Sequence, residues 1–425
     1  MHYEPIKGRL ITPTMVLMVV LMLAGAAAFI ARFALGLGPT TGLSDNYPWG
    51  LWIVFDLVWI ALAGGAFVTA GIVYVFHAEQ FHALARPAVW MGLLSYNFVV
   101  VTLLADLGLP WHFWQLAVQL PDHSAMYEVS WCVTLYVTIL GLEFAPVLFE
   151  RFGWEKLRRL WLKLSPIYTV LALALFVFLM SHKLWMAALA LVVFAVIAWL
   201  TADSGRKLGV PILLIIAAVT FSTMHQSSLG SLFLLMPDKL SPLWWSPILP
   251  LLFFFSAVAA GLALVMLLDL AVSRFFARPY QWAMLARLGQ VLFGALLLYY
   301  GLRLGDLTLR GAWGHLAGLQ GSLLLLEILL GGVLPIVLLA KFSWRERQGL
   351  LLAGILLTLF GVILNRLNIV LLGMNLPGTL PGGLVQTYTP SLVEWTLSIS
   401  LIAAAVFFFA AGCKLLPILP KQETR

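Results

Sequence analysis

Long apolar runs recur from one end of the chain to the other, and short polar segments separate them. Several runs are longer than the roughly 20 residues that a helix needs to cross a bilayer. The pattern predicts an all-α polytopic membrane protein, a single membrane domain over residues 1–425 with about twelve transmembrane helices. The predicted spans run near 13–36, 49–76, 87–109, 125–149, 164–181, 184–201, 209–228, 246–273, 284–304, 317–340, 349–372 and 390–414.

The composition agrees with this pattern. Hydrophobic residues make up 62% of the chain and charged residues 10%, whereas an ordinary globular protein is nearer half apolar and a quarter charged. A soluble fold is therefore excluded. Cys132 and Cys413 lie far apart in or beside apolar runs, and they fit neither a disulfide framework nor a metal cluster. The stretch from about Met15 to Leu37 lacks a small-residue cleavage site, so we expect it to remain as the first span.

Positive charge is concentrated in every second loop. The net charge is +7, and basic residues in alternate loops are typical of the cytoplasmic side of a membrane protein rather than of a nucleic-acid-binding protein. We therefore expect a bacterial inner membrane location, both termini in the cytoplasm and an even number of spans. Arg32, Arg303 and Arg310 are exceptions on the predicted outer side. The basic loops are HAEQFHALAR, ERFGWEKLRRLWLK, TADSGRKLG, SRFFARPYQWAMLAR and KFSWRERQG.

Polar side chains within spans are costly, so each is a candidate functional residue. Near the predicted outer ends of the spans lie carboxylates, a histidine, a tyrosine and tryptophan rings. This set suits a quinone, because its head group needs hydrogen bonds and proton exchange and its tail needs an apolar groove. Alternatively, side chains near span ends only reach interfacial water, and this stays open for His112, Glu128 and Glu394. This alternative is weaker for Asp56, which lies deeper within its span. The predicted quinone-binding residues are Asp56, Asp106, Trp111, His112, Tyr127, Glu128 and Trp131.

Two further sets of polar residues are candidates. Glu143 and Asp269 near inner span ends, together with Glu327 near the middle of a span, would form a proton route from the cytoplasm. A structural pairing of Glu327, for example with Arg366, is an equal alternative, since a mid-membrane carboxylate must be protonated, paired or hydrated. A second polar cluster is predicted at outer span ends from His225, Gln226, Ser227, Asn365, Arg366 and Glu394.

The sequence predicts no haem and no metal site. A membrane b-type haem needs two histidines deep in facing helices. None of the eight histidines is predicted at mid-span, and the nearest, His182 and His225, are placed at helix ends. The chain also lacks a cluster-binding cysteine run and a nucleotide-binding loop. Any redox or hydrolytic centre is therefore expected in a partner protein.

Seven motifs, spread in order over nearly the whole chain, resemble the NrfD/PsrC family of membrane subunits, and most closely its HybB-like branch. PWGLW and HQSSLG together are fairly specific for this resemblance. The motifs are DNYPWGLWIVFD (Asp45–Asp56), ALAGGAF (Ala61–Phe67), YEVSWCVTLY (Tyr127–Tyr136), LEF (Leu142–Phe144), HQSSLGSLF (His225–Phe233), NRLNIVLLG (Asn365–Gly373) and YTPSLVEW (Tyr388–Trp395).

The resemblance implies a core of two four-helix bundles and a haem-free subunit that exchanges electrons between menaquinone and a periplasmic ferredoxin-like iron–sulfur subunit. The catalytic partner would be a nickel–iron hydrogenase or a molybdopterin-type enzyme, and some family members are proposed to move protons. In the polysulfide-reductase relative a histidine contacts the quinone, and aligning Leu62–Gly65 puts Asp56 at that position. The segment 166–201 departs from the family as an extra helical pair.

Two other functions stay open. Twelve spans with both ends inside is also a transporter layout, which predicts polar residues at the midplane and broken helices in matching halves. The polar groups lie mostly toward one face here, which favours the redox subunit. A purely structural anchor with an inactive quinone pocket is the third possibility. The catalytic partner and the direction of electron flow are not predicted by this sequence.

Overall fold

The structure, a computed structural model, describes residues 2–421 apart from residues 7, 10, 46, 119–123, 203–209 and 375–387. Twelve apolar helices dominate this part of the chain, and eleven of them are long and apolar enough to cross a membrane. They are α1 Pro13–Leu35, α2 Leu51–Val75, α3 Glu79–Asp106, α4 Ala125–Phe152, α5 Glu155–Ser181, α6 Leu184–Leu200 (the shorter one), α7 Ile212–Leu234, α8 Leu249–Phe275, α9 Trp282–Leu309, α10 Gly318–Ala340, α11 Gln348–Gly373 and α12 Leu392–Leu415.

Short elements fill the connections between these helices. Two of them are strands, β1 (Tyr3–Glu4) and β2 (Leu419–Pro420), which pair antiparallel. The others are single helical turns, Leu37–Thr40, Pro110–His112, Gln115–Val118, Ala312–His315 and Phe342–Arg345.

The strand pair holds the two ends of the chain on one face of the molecule. Tyr3 lies opposite Pro420, and the Tyr3 ring packs under the Arg86 guanidinium, 3.8 Å from its centroid. About twelve spans are predicted from the sequence, and the described part of the chain contains twelve apolar helices. Eleven of them are candidate membrane spans, and the twelfth, α6, is shorter at 17 residues.

The helices form two four-helix bundles joined along one seam. The first bundle consists of α2, α3, α4 and α7, and the second of α8, α9, α10 and α11. Helix α2 packs against α8, and Gly65 and Gly261 meet there with no room for a side chain on either. Small residues permit this close approach of helix backbones in membranes.

Four helices lie outside the bundles. Helices α1 and α12 pack along each other and against α3, whereas α5 packs on α4 and α7. Helix α6 rests mainly on α5 and has no buried residue. Helices α5 and α6 therefore form the predicted extra helical pair, which lies at the periphery of the first bundle.

Three helices contain a π-helical segment, where the backbone hydrogen bonds reach one residue further than in an α-helix. These segments are Gly71–Val75 in α2, Leu329–Val333 in α10 and Asn368–Gly373 in α11. π-segments are frequent at functional sites. Two of the three lie in the second bundle, directly beside Glu327 and starting at Asn368, so the regular helix is interrupted where polar groups are buried.

Candidate functional site

Asp56 lies buried between α2 and α3. The Thr102 hydroxyl of α3 donates a hydrogen bond to Asp56 Oδ1, and Asp56 Oδ2 has no hydrogen-bond partner. Asp106, one turn further out on α3, is near enough for the two carboxylate charges to interact. The structure thus brings Asp56 and Asp106 together, as predicted, but the pair faces α1 and α12 at the side of the first bundle.

Arg32 explains the first exception to the charge pattern. It is a buried residue of α1, and its guanidinium donates to the Leu107 carbonyl oxygen and, from Nε, to the Ala105 carbonyl oxygen at 2.5 Å. A cation is stabilised by the carbonyl groups at a helix C-terminus. Arg32 therefore caps α3 and places a positive charge near Asp106.

Glu128 belongs to a second group, between α4 and α7. The Ser228 hydroxyl of α7 donates to Glu128 Oε1 at 2.5 Å. The neighbouring Tyr127 is buried, whereas Trp131 on the next turn is half-buried. Asp56 and Glu128 thus have different partners on different helices, and the single pocket expected from the sequence is divided into two groups.

Trp111 and His112 lie in the outer connection between α3 and α4. The Trp111 side chain is 61% exposed and His112 is half-buried. Neither side chain is enclosed with a carboxylate in the described part of the chain, so these two residues lie at the mouth of the site rather than inside it.

A buried polar column that the sequence prediction missed runs through the middle of the first bundle. The rings of Tyr96 and Tyr136 lie 4.6 Å apart, and those of Tyr96 and His225 lie 5.7 Å apart. Ser222 is also fully buried, and the polar side-chain atoms of all four residues have no hydrogen-bond partner among the described residues. Buried polar groups are normally bonded to protein or water, so this unbonded column is unusual and is a candidate functional feature.

The position of His225 corrects one prediction. The span was expected to end near residue 228, which put His225 at a helix end, but α7 continues to Leu234 and His225 is fully buried within it. The next residue, Gln226, donates from Nε2 to the Ile60 carbonyl oxygen of α2 at 2.6 Å. Ser227 makes a backbone contact only, accepting from the Ser231 hydroxyl at 3.2 Å.

Two carboxylates lie near the face that holds the paired terminal strands. Glu143 of α4 is buried above a pocket whose wall includes Arg86 and Glu150, an ion pair at 2.7 Å. Asp269 of α8 lines another pocket at the same end, beside Arg278 and the terminal strand β2, and its Oδ2 has no hydrogen-bond partner. Both residues are therefore where the predicted proton route would enter.

Glu327, by contrast, is fully satisfied at the centre of the second bundle. Arg303 forms a buried ion pair with Glu327 Oε1, to which Asn365 Nδ2 also donates at 3.0 Å. Asn368 Nδ2 at 3.0 Å and Trp244 Nε1 at 3.4 Å donate to Oε2. Each carboxylate oxygen of Glu327 thus accepts two hydrogen bonds from side chains of the bundle. Of the two expectations for Glu327, the structure favours structural pairing over proton relay.

The partner of Glu327 also differs from the suggested one. Arg303 lies inside α9, which continues to Leu309, so it is not an outer-loop residue. Arg366 reaches Glu327 only through Asn365, because its NH1 donates to Asn365 Oδ1 at 2.6 Å. The sequence prediction ended the α9 span near residue 304, and this hid the ion pair.

Glu394 lies in the first turn of α12 and bonds to the adjacent connections rather than to a polar cluster with His225. It accepts from the backbone N–H groups of Gly42 and Ser391, both at 2.8 Å, and from the Tyr388 hydroxyl. Together with Ser391 it forms a capping box at the start of α12. Burial and the bond to Glu394 raise the pKa of Tyr388, which keeps its proton and stays a donor. The predicted second cluster is thus split over three places.

A protein-family comparison decides which family this architecture represents. The family described as polysulphide reductase, NrfD, matches residues 39–378, which include both bundles. The chain belongs to the NrfD family. The resemblance inferred from the seven motifs is confirmed, and the NrfD match includes all the predicted site residues except Glu394.

Relatives of this NrfD-family chain align over nearly its full length. A protein of Nitratidesulfovibrio vulgaris is 30% identical over 428 residues, 99% of this chain and 97% of the relative. The probable Ni/Fe-hydrogenase 2 b-type cytochrome subunit of Escherichia coli is 28% identical, covering 98% of this chain and 95% of the relative. The menaquinone reductase integral membrane subunit of Nitratidesulfovibrio vulgaris is 25% identical, covering 94% and 89%.

The Escherichia coli relative is named a b-type cytochrome subunit, and such a subunit would bind haem. A membrane b-type haem needs two histidines from facing helices. In the part of the chain that the structure describes, His225 is the one buried histidine, and no group of three or more His, Cys, Asp or Glu residues could hold a metal ion. The described residues therefore do not fit a bis-histidine haem.

Proposed function

We propose that the chain is the quinone-binding membrane subunit of a respiratory redox complex. It would exchange electrons between menaquinone and an iron–sulfur subunit docked on its outer, periplasmic face, and a catalytic subunit of nickel–iron hydrogenase or molybdopterin type would complete the complex. We place it in the bacterial inner membrane with both termini in the cytoplasm. The observation that carries the proposal is the buried polar column of the first bundle, with Glu128 and Glu143 about two helical turns from Tyr136 on either side along α4. The name of one relative, the menaquinone reductase integral membrane subunit, supports it.

The proposed quinone site lies at the outer end of the first bundle. We assign proton exchange with the head group to the two separate groups found there. Asp56, between α2 and α3, is buried with one carboxylate oxygen unbonded among the described residues, and Glu128, between α4 and α7, is half-buried. Tyr127 and Trp131 would form the apolar wall, with Trp111 at the mouth. Menaquinone, when bound, supplies the two-electron chemistry.

Proton supply to this site would use the column. We propose that protons pass between Glu128 at the outer end and Glu143 at the inner end by way of Tyr96, Tyr136 and His225. Ser222 lies among these groups and can bond to either tyrosine. The pocket below Glu143, lined also by Tyr74, His82 and Arg86, would connect it to the cytoplasm, and Asp269 marks a second inner entrance. We assign Glu327 to structure, because the ion pair with Arg303 and three further hydrogen bonds already hold both of its carboxylate oxygens.

The Asp56→Asn variant tests this function. The variant keeps the size and the hydrogen bond to Thr102 but removes proton exchange at that position. We expect quinone turnover by the purified intact complex to fall at least about 10²-fold, the lower end of what a positioned acid or base contributes. The control is Glu346→Gln, because Glu346 is an exposed carboxylate in the α10–α11 connection, and its turnover should equal that of the wild type.

Assembly is measured in the same preparations. Both variants should co-purify with the iron–sulfur and catalytic subunits in wild-type proportion. Full turnover in an assembled Asp56→Asn complex would disprove the assignment of Asp56. A wild-type chain that purifies without any redox partner in mild detergent and binds a solute would favour the transporter function instead.

A further inference from the structure

The second bundle contains more buried positive than negative charge. Arg303 pairs with Glu327, and Arg310 pairs with Asp306 at 2.8 Å. Arg366 has no carboxylate of its own, although it is only 1% exposed. Each of the two acids is already bonded to another arginine. The described cluster therefore carries one excess positive charge, at Arg366.

The contacts of Arg366 are all to neutral groups. Its NH1 donates to Asn365 Oδ1 at 2.6 Å and its NH2 to the Ser256 hydroxyl at 2.7 Å. The guanidinium carbon lies 3.9 Å from the centroid of the Phe253 ring. Its Nε, buried as well, has no hydrogen-bond partner among the residues that the structure describes. A cation–π contact offsets only part of the free-energy cost of burying an arginine charge.

A cavity lies directly against this side chain. The charged residues of its wall are Arg303, Arg310, Arg366 and Asp306, of which Asp306 is paired with Arg310. Asn365, Tyr299, Ser246 and Trp244 also line it. The free space amounts to about 310 Å³ with its mouth included, but the interior is narrow. It accepts a particle of about the size of a water molecule, which excludes a quinone ring and any phosphate ester.

We propose that this cavity binds a small monovalent anion such as chloride, held between Arg366 and Arg303. The anion would accept from the unpartnered Nε of Arg366 and neutralise the excess charge of the cluster. Arginine stays protonated at any physiological pH, so the protein cannot remove this charge by releasing a proton. The π-segment Asn368–Gly373 contributes Ile369 to the wall of the same cavity. This inference does not depend on the quinone function.

Halide-dependent stability tests the site. The purified full chain in mild detergent is unfolded thermally while chloride replaces gluconate at constant ionic strength. Because a ligand that binds only the folded state raises its stability, we expect the wild-type Tm to rise by several degrees and to saturate. Arg366→Met should lose this dependence, and Arg366→Lys, which keeps the charge, should retain it at a higher half-saturating concentration.

The matched control is Arg345→Met. Arg345 is another buried arginine, at the inner end of α10, where it donates to the Leu339 carbonyl oxygen at 2.5 Å. This variant should keep the wild-type chloride dependence even if its Tm is lower. Chloride dependence that persists in Arg366→Met would overturn the proposal, as would a wild-type Tm that gluconate and chloride affect equally.

A direct measurement covers the case in which Arg366→Met does not fold. Crystals of the wild-type protein grown with bromide should show an anomalous peak within hydrogen-bond distance of Arg366 Nε, and crystals of Arg366→Lys should show a weaker one. A bromide peak confined to other parts of the surface, or none at all, would refute the site.

Discussion

The ion pair between Glu327 and Arg303 yields the sharpest test of this structure. Their side chains are 0% and 5% exposed, and Glu327 accepts four hydrogen bonds from Arg303, Asn365, Asn368 and Trp244. Glu327→Gln keeps the size of the side chain but leaves Arg303 buried without a counter-charge. Removing one partner of a buried ion pair costs about 3–5 kcal/mol, and we expect a loss of unfolding free energy in this range.

The assay is unfolding of the purified chain in dodecyl maltoside by titrated SDS, followed by tryptophan fluorescence. The control is Glu150→Gln, because Glu150 and Arg86 form an ion pair of similar kind whose side chains are 42% and 25% exposed. A solvent-exposed pair contributes about 0–1 kcal/mol. The double variant Arg303→Met/Glu327→Gln should lose about 2 kcal/mol less unfolding free energy than the two single variants lose in total.

Two results would contradict this reasoning. If Glu327→Gln is no less stable than Glu150→Gln, Glu327 is not ionised and paired in the folded protein. If the variant is stable but abolishes quinone turnover of the complex, Glu327 is a proton relay and our structural assignment is wrong.

Two further predictions concern the proton path and the helix seam. Glu143→Gln should lower quinone turnover by about 10²-fold with normal assembly, because no proton could pass that position; turnover equal to that of Glu150→Gln would place the path elsewhere. Gly261→Val should cost more than about 3 kcal/mol in the same SDS titration, since its side chain would collide with the backbone of Gly65; Gly294→Val, at a glycine with free space around it, should cost much less.

The helices could be predicted from the sequence because hydropathy reports them directly. Runs of apolar residues have few alternatives in a bilayer, so the order and number of the helices agree with the expectation. The ends of the predicted helices were less certain, and errors of a few residues at two of these ends changed the predicted position of functional side chains. The helices of His225 and Arg303 both continue past their predicted ends, to Leu234 and Leu309, and this places both side chains in the interior.

Side-chain partners could not be predicted in the same way. A helix that is apolar all round gives no sign of which face meets a neighbour, so Tyr96 and Tyr136 could not be distinguished from the tyrosines that anchor span ends. Buried ionisable residues were found, because a charge within a span is conspicuous. Which of these residues lie together was not predicted correctly, because Asp56 and Glu128 point to different neighbouring helices.

The paired terminal strands have a consequence for biogenesis. Helix α1 has little buried surface, and its principal neighbour is α12, which is far from it in the sequence. Tyr3 and Glu4 can therefore meet Leu419 and Pro420 only after α12 and the segment that follows it have been synthesised. Removal of Leu419 and Pro420 would abolish the strand pair, whereas the packing of α1 along α12 would remain.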